Sequence, residues 1–213
     1  MKSTSETTYE AGSSNAANMN AVRMLRISAP SDKIEYRITK IYDSGTEEQM
    51  VEGGNNAGNI TYAPKSGYMF AGWYQDADYT IPADFANVTG DMTVYAEYIK
   101  NKDVTLAFKR TGTKNNVTTF TVTVTVKKEV HLEDVKVTVV GGNTAILGNR
   151  TVKQSGTGNN VKYTTEYKGT ISVVGLSKVD KFTSFVSWDT LDGTVVKGAD
   201  KKCTYQLGNV IVR

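Results

Sequence analysis

The chain has 213 residues, 39% hydrophobic and 22% charged, with one cysteine and one histidine. That composition can fold, and it excludes an internal disulfide framework, a cysteine zinc site and a histidine-pair metal centre. The net charge of +3 hides an asymmetry, since residues 31–100 carry 5 basic against 11 acidic side chains and residues 101–213 carry 17 against 9; two domains that attract each other, or a neighbouring copy, would carry such opposite signs.

Residues 1–30 are a polar lead-in ending at Pro30. Within it SSNAANMNAVRMLR places Ala17, Ala21, Met24 and Leu25 on one helical face, behind the cap residues Ser14 and Asn15. A helix this short is marginal in water and orders by docking, so the segment reads as an assembly arm or as a loose terminus. The opening MKSTSETTYEAGSS lacks the apolar stretch of a secretory signal. If Met1 is the initiator, general export is not the expected route; if the sequence is a fragment, a signal can lie upstream. No run approaches the roughly 18 apolar residues of a membrane span.

Beyond Pro30 the helical signal fades. KIEYRITKIY alternates Ile34, Tyr36 and Ile38 with polar residues, a strand whose phase changes near Ile41. EGGNNAGN follows as a turn, ITYAPKSGY as a short strand and bend, and MTVYAEYI as a closing strand, with QDADYTIPADFANVTGD a loop holding at most one helical turn. From Asp103 the strands crowd: VTLAF, VTTFTVTVTV, VKVTVV, TAIL, NVKYTTEY, GTISVVG, FTSFVSW, GTVV and CTYQLGNVIV, punctuated by GG, GN, SGTG and DG. Short alternating strands at spacings of about 8–12 residues predict an antiparallel β-sandwich, Ig-like in class. The predicted fold is thus mainly β, with an arm at 1–30, a small domain at 31–100 and a sandwich at 101–213.

The segment Gly67-Tyr68-x-Phe70-x-Gly72-Trp73-Tyr74, the acidic loop reaching Asp84-Phe85, and the closing Thr93-x-Tyr95-Ala96 resemble the Listeria–Bacteroides repeat, also called the internalin B-repeat type. Two departures stand out: Tyr98 replaces the usual closing Trp, and one copy occurs where the family runs in tandem. The resemblance implies a small β-grasp-like domain of surface-exposed bacterial proteins, and sometimes of phage structural proteins, without a known active site. A domain this small needs large rings for a core, so Tyr68, Phe70, Trp73, Phe85 and Tyr95 are assigned to it. Neighbours on a strand face opposite ways; Trp73 is therefore expected inside, and Tyr74, with Tyr62 and Tyr79, is a candidate for contact with a partner.

Other chemistry is weaker. His131, in KKEVHLEDV, is the one available histidine base and reads as a solvated turn residue. Asp76, Asp78, Asp84 and Asp91 hint at calcium but lack the terminal Glu of a full loop. Glu129, Glu166 and Asp189 are carboxylates without a spacing that singles out a hydrolytic pair. GGNTAILGNR lacks the Gly-Lys-Ser/Thr of a phosphate loop. Lys109 and Asn209, near the ends of the sandwich, with Glu166 between, would suit an isopeptide bond. Asn59, Asn87, Asn116 and Asn149 open Asn-x-Thr triplets, common by chance in a Thr-rich chain.

The expectation is a non-enzymatic display protein, without cofactor or metal. In its first form it is a phage head or tail accessory or decoration protein, sited on the virion surface and partnered by capsid, tail or its own copies in a larger assembly. The alternatives are a fragment of a Gram-positive cell-surface adhesin or spacer, extracellular, and a carbohydrate-binding module in which Tyr62, Tyr74 and Tyr79 form a stacking strip for a bacterial surface glycan. Scattered lysines without an arginine cluster argue against nucleic acid, and membrane insertion is not expected.

Overall fold

A computed structural model describes residues 33–54, 60–139, 143–176, 179–191, 194–206 and 208–213. The proposed arm with Ala17, Ala21, Met24 and Leu25, and Asn59, lie outside the described residues. Lys33–Arg213 forms one compact unit that is mainly β and holds two sheets.

The smaller sheet is built from β1 (Glu35–Tyr42), β2 (Gly45–Glu52), β3 (Tyr68–Tyr74) and β4 (Met92–Lys100), in the order β2-β1-β4-β3. β1 and β4 run parallel at its centre, and each outer pair is antiparallel. This is a β-grasp arrangement. Between β2 and β3 the described residues hold no helix; Ile60 and Tyr62, in irregular chain, cover the sheet instead. The 75–91 loop holds no helix, only a single turn closed from the Tyr79 N–H to the Asp76 carbonyl at 3.2 Å, and Pro82 bridges back to Tyr74.

The phase change expected near Ile41 does not occur. Ile38, Lys40 and Tyr42 alternate inward throughout, because Lys40 is buried with its charge satisfied. Its ammonium donates to the Thr61 carbonyl at 3.1 Å and pairs with Glu47 at 3.3 Å.

The larger sheet comprises β5 (Val104–Lys114), β6 (Val117–Val126), β7 (Glu133–Val139), β8 (Thr144–Ile146), β9 (Thr151–Ser155), β10 (Lys162–Val174), β11 (Val179–Asp189), β12 (Val195–Gln206) and β13 (Asn209–Val212), all antiparallel in the order β8-β7-β11-β12-β13-β5-β6-β10-β9. A two-residue turn with Asn115 and Asn116 at φ 50 and 60 joins β5 to β6, the left-handed geometry that tight hairpins require. NVKYTTEY and GTISVVG are one strand, β10: Gly169 sits mid-strand where a Cβ would meet the Leu147 side chain at 2.6 Å, so it marks a close approach and not a turn.

The ladder narrows at β13–β5 to one registered pair, Asn209 opposite Lys109. The sheet therefore divides into halves that fold over each other as a sandwich. Phe108 meets Phe182, and Phe120 meets Tyr205, edge to face across the gap at 5.8 and 6.0 Å. β6 buries Thr118, Phe120, Val122, Val124 and Val126 and turns Thr119, Thr121, Thr123 and Thr125 to the other face, as strict period two requires.

Candidate functional site

The distinctive geometry lies where the aromatic strand β3 meets the sandwich. Phe70 and Trp73 are three residues apart, and a regular strand would send them to opposite faces. The register slips between Phe70, opposite Tyr98, and Gly72, opposite Glu97. Ala71 is the extra residue of this bulge, and Gly72 takes φ 139, open to glycine and strained for other residues. The slip brings both rings to the inner face, 5.3 Å apart and edge to face. Trp73 is only 2% exposed.

The opposite face of the small sheet packs on the sandwich. Trp188 of β11 is fully buried there and donates its Nε1–H to the Phe70 carbonyl at 2.9 Å. Met69 closes against Gly198 of β12, where a Cβ would come within 2.6 Å of the Met69 Cε and 2.2 Å of the Val186 carbonyl oxygen. Along the same face Glu97 is buried and forms an ion pair with Lys128, from the turn after β6. The Lys128 ammonium also lies 4.8 Å from the Tyr79 ring centre.

Tyr79 is carried by a fixed loop. The Asp76 carboxylate accepts from the Ile81 N–H at 2.7 Å, the Thr80 N–H and the Thr80 hydroxyl. Desolvation pushes the Asp76 pKa up, but these bonds outweigh it and the net shift is downward. Tyr79 sits at φ 57, unusual for a side-chain-bearing residue, and its ring meets Tyr74 edge to face at 5.6 Å. Between this loop and the sandwich opens a cleft of about 590 Å³, lined by Glu97 of the repeat and by Lys128, Glu129, His131, Arg150 and Tyr163 of the sandwich.

Of the residues assigned to the repeat core, Phe70, Trp73 and Phe85 are buried, while Tyr68 and Tyr95 are half-buried. The partner-contact tyrosines do not form a strip. Tyr74 is 5% exposed, a correction to the expectation that the ring beside Trp73 would face outward, because β3 is covered on both faces. Tyr62 stacks flat on Phe70 at 4.3 Å on the inner face. Tyr79, with the buried Tyr74 behind it, lines the cleft, and Tyr62 does not.

The acids are held apart. Asp84 accepts from the Ala86 N–H and Asp91 from the Arg37 N–H, each at 2.8 Å. Glu166 pairs with Lys153 and Lys168 at 2.6 and 2.9 Å, which holds its pKa below the usual carboxylate range. Asp189 pairs with Lys136. Lys109 and Asn209 are register partners as an isopeptide bond would need, but both are exposed. Glu166 stands opposite Thr125 on β6, away from the pair and charge-paired, so the desolvated lysine and protonated acid of that chemistry are not assembled. Cys203 is buried beside the Ser184 hydroxyl, and burial raises its pKa. Trp188, Gly198, Lys128 and Arg150 carry no local pattern that marks them out, apart from a Trp that ends a strand.

Residues 36–97 match the family model of the Listeria-Bacteroides repeat domain. This stretch, less than a third of the chain, is such a repeat, and its family is typically surface-associated or extracellular. No curated protein matches the chain. Among the described residues no helix is long and apolar enough to cross a membrane.

Proposed function

We propose that the chain is a non-enzymatic display protein of an exterior surface, in which repeat and sandwich act as one rigid spacer. The observation that supports this reading is the seal between the sheets. The repeat's aromatic strand is buried on both faces, with Trp188 donating to its backbone, so its rings are committed to packing. A stalk of repeats bends between units; here the matched repeat is followed by a sandwich packed on its sheet, which favours a compact decoration unit. The finer proposal is an accessory protein of a phage head or tail, docked through residues 1–30.

Mass spectrometry and immunogold labelling of density-purified particles test this. The chain is expected on intact particles in amounts comparable to the major structural proteins. Recovery only in cell-wall or particle-free fractions would contradict the virion role and favour the adhesin reading. Deleting residues 1–30 is expected to leave the circular dichroism spectrum of the sheets intact and to abolish incorporation; normal incorporation would refute docking by the arm.

A further inference from the structure

We infer that the cleft between the repeat sheet and the sandwich binds a neutral oligosaccharide. Its volume of about 590 Å³ lies within the range of small-ligand sites. Glu97 and Lys128 are paired with each other. Besides the tyrosines, the remaining polar groups with charge or an imidazole are acceptors at Asp78 and Glu129, a donor at Arg150, and His131, whose ring can donate and accept, all on exposed residues.

That balance discriminates among ligands. A sugar hydroxyl donates and accepts together and can use both kinds of group. A phosphate or carboxylate polymer meets Asp78 and Glu129 as like charges. An apolar ligand would strip water from four polar groups and return no hydrogen bond. The cleft also offers flat ring surface at Tyr163, which lines it and is 38% exposed, whereas the half-buried Tyr79 ring holds the Lys128 ammonium 4.8 Å from its centre. An exposed ring packs against the C–H face of a pyranose while leaving its hydroxyl wet.

The site is also set in advance. Tyr79 is held at positive φ by the Asp76-anchored loop, and backbone strain of this kind concentrates at functional positions. The Arg150 Nε donates to the Val130 carbonyl at 3.0 Å, which fixes the guanidinium beside the Tyr167 hydroxyl. Binding then orders few side chains. None of this depends on where the chain is displayed.

Ligand-observed saturation-transfer NMR on the full chain tests the inference. The probes are neutral gluco-, galacto-, manno- and N-acetylglucosamine oligosaccharides, with a uronate oligosaccharide for comparison. At least one neutral class should bind in preference to the uronate. Tyr163→Ala should weaken that binding about tenfold, as expected for loss of one packed ring, while Tyr163→Phe retains it. Glu129→Gln should alter which neutral class is preferred. Both residues are exposed, and thermal melting checks that the variants keep their fold. Binding by no neutral oligosaccharide, preference for the uronate, or unchanged binding by Tyr163→Ala would each overturn the assignment.

Discussion

Trp188 is fully buried and ties β11 to β3. It fills the seam between the sheets, and its N–H satisfies a β3 carbonyl beside the bulge, where the ladder of β3 is interrupted. Trp188→Ala should cost roughly 3–5 kcal/mol by leaving a cavity. Trp188→Phe keeps most of the apolar volume and should cost about 1–3 kcal/mol through the unpaired Phe70 carbonyl. Urea unfolding curves read both. The tyrosines predict a pH response. Burial pushes the Tyr42 hydroxyl up to about 12, and it raises Tyr98 and Tyr167 in the same direction. An unfolded tyrosine ionises near 10. The folded state therefore holds its protons longer, and the associated stability is intact below that pH and lost as pH rises from there through about 12. The melting temperature should fall steeply across that window; a flat profile would show that these hydroxyls ionise as freely in the fold as outside it.

At the scale of the element, β3 illustrates what pattern reading captures and what it misses. The ordered residues from Gly67 to Tyr74 identified the repeat, because small β domains need many rings close together. The strands of the sandwich were legible for a similar reason: period-two Val and Thr leave little ambiguity about β6. The bulge was not legible, since a one-residue slip depends on pairing with β4 as well as on local sequence. Nor was the burial of Tyr74, whose ring is met edge to face by Tyr79 from the loop that folds back on β3. Lys40 was hidden because a lysine in an alternating pattern reads as exposed until its partners, Thr61 and Glu47, are brought to it. The bulge is open to direct test. Gly72→Ala puts a Cβ on a residue at φ 139 and should destabilise by about 1–3 kcal/mol, with the Phe70 and Trp73 ring resonances shifting together. A neutral Gly72→Ala would mean that the backbone can relax out of that conformation.

For the molecule as a whole, the two sheets should behave as one cooperative body, since they share Trp188, Met69 against Gly198, and the Glu97–Lys128 pair. Such a body transmits force and keeps a fixed span, as a display role requires. It also holds the walls of the cleft at constant separation. Lys128→Ala leaves the buried Glu97 carboxylate without its counter-charge and should cost about 1–3 kcal/mol, loosening the cleft without unfolding either sheet. Cooperativity between the two sheets is the central consequence of this packing. Hydrogen exchange followed by mass spectrometry at increasing urea measures it directly. The slowest amides of β4 and of β6 should open together, at the same denaturant concentration and with the same slope. Exchange of β1–β4 at clearly lower urea than the sandwich would mean that the repeat is an independent bead on a linker, contrary to a single rigid unit.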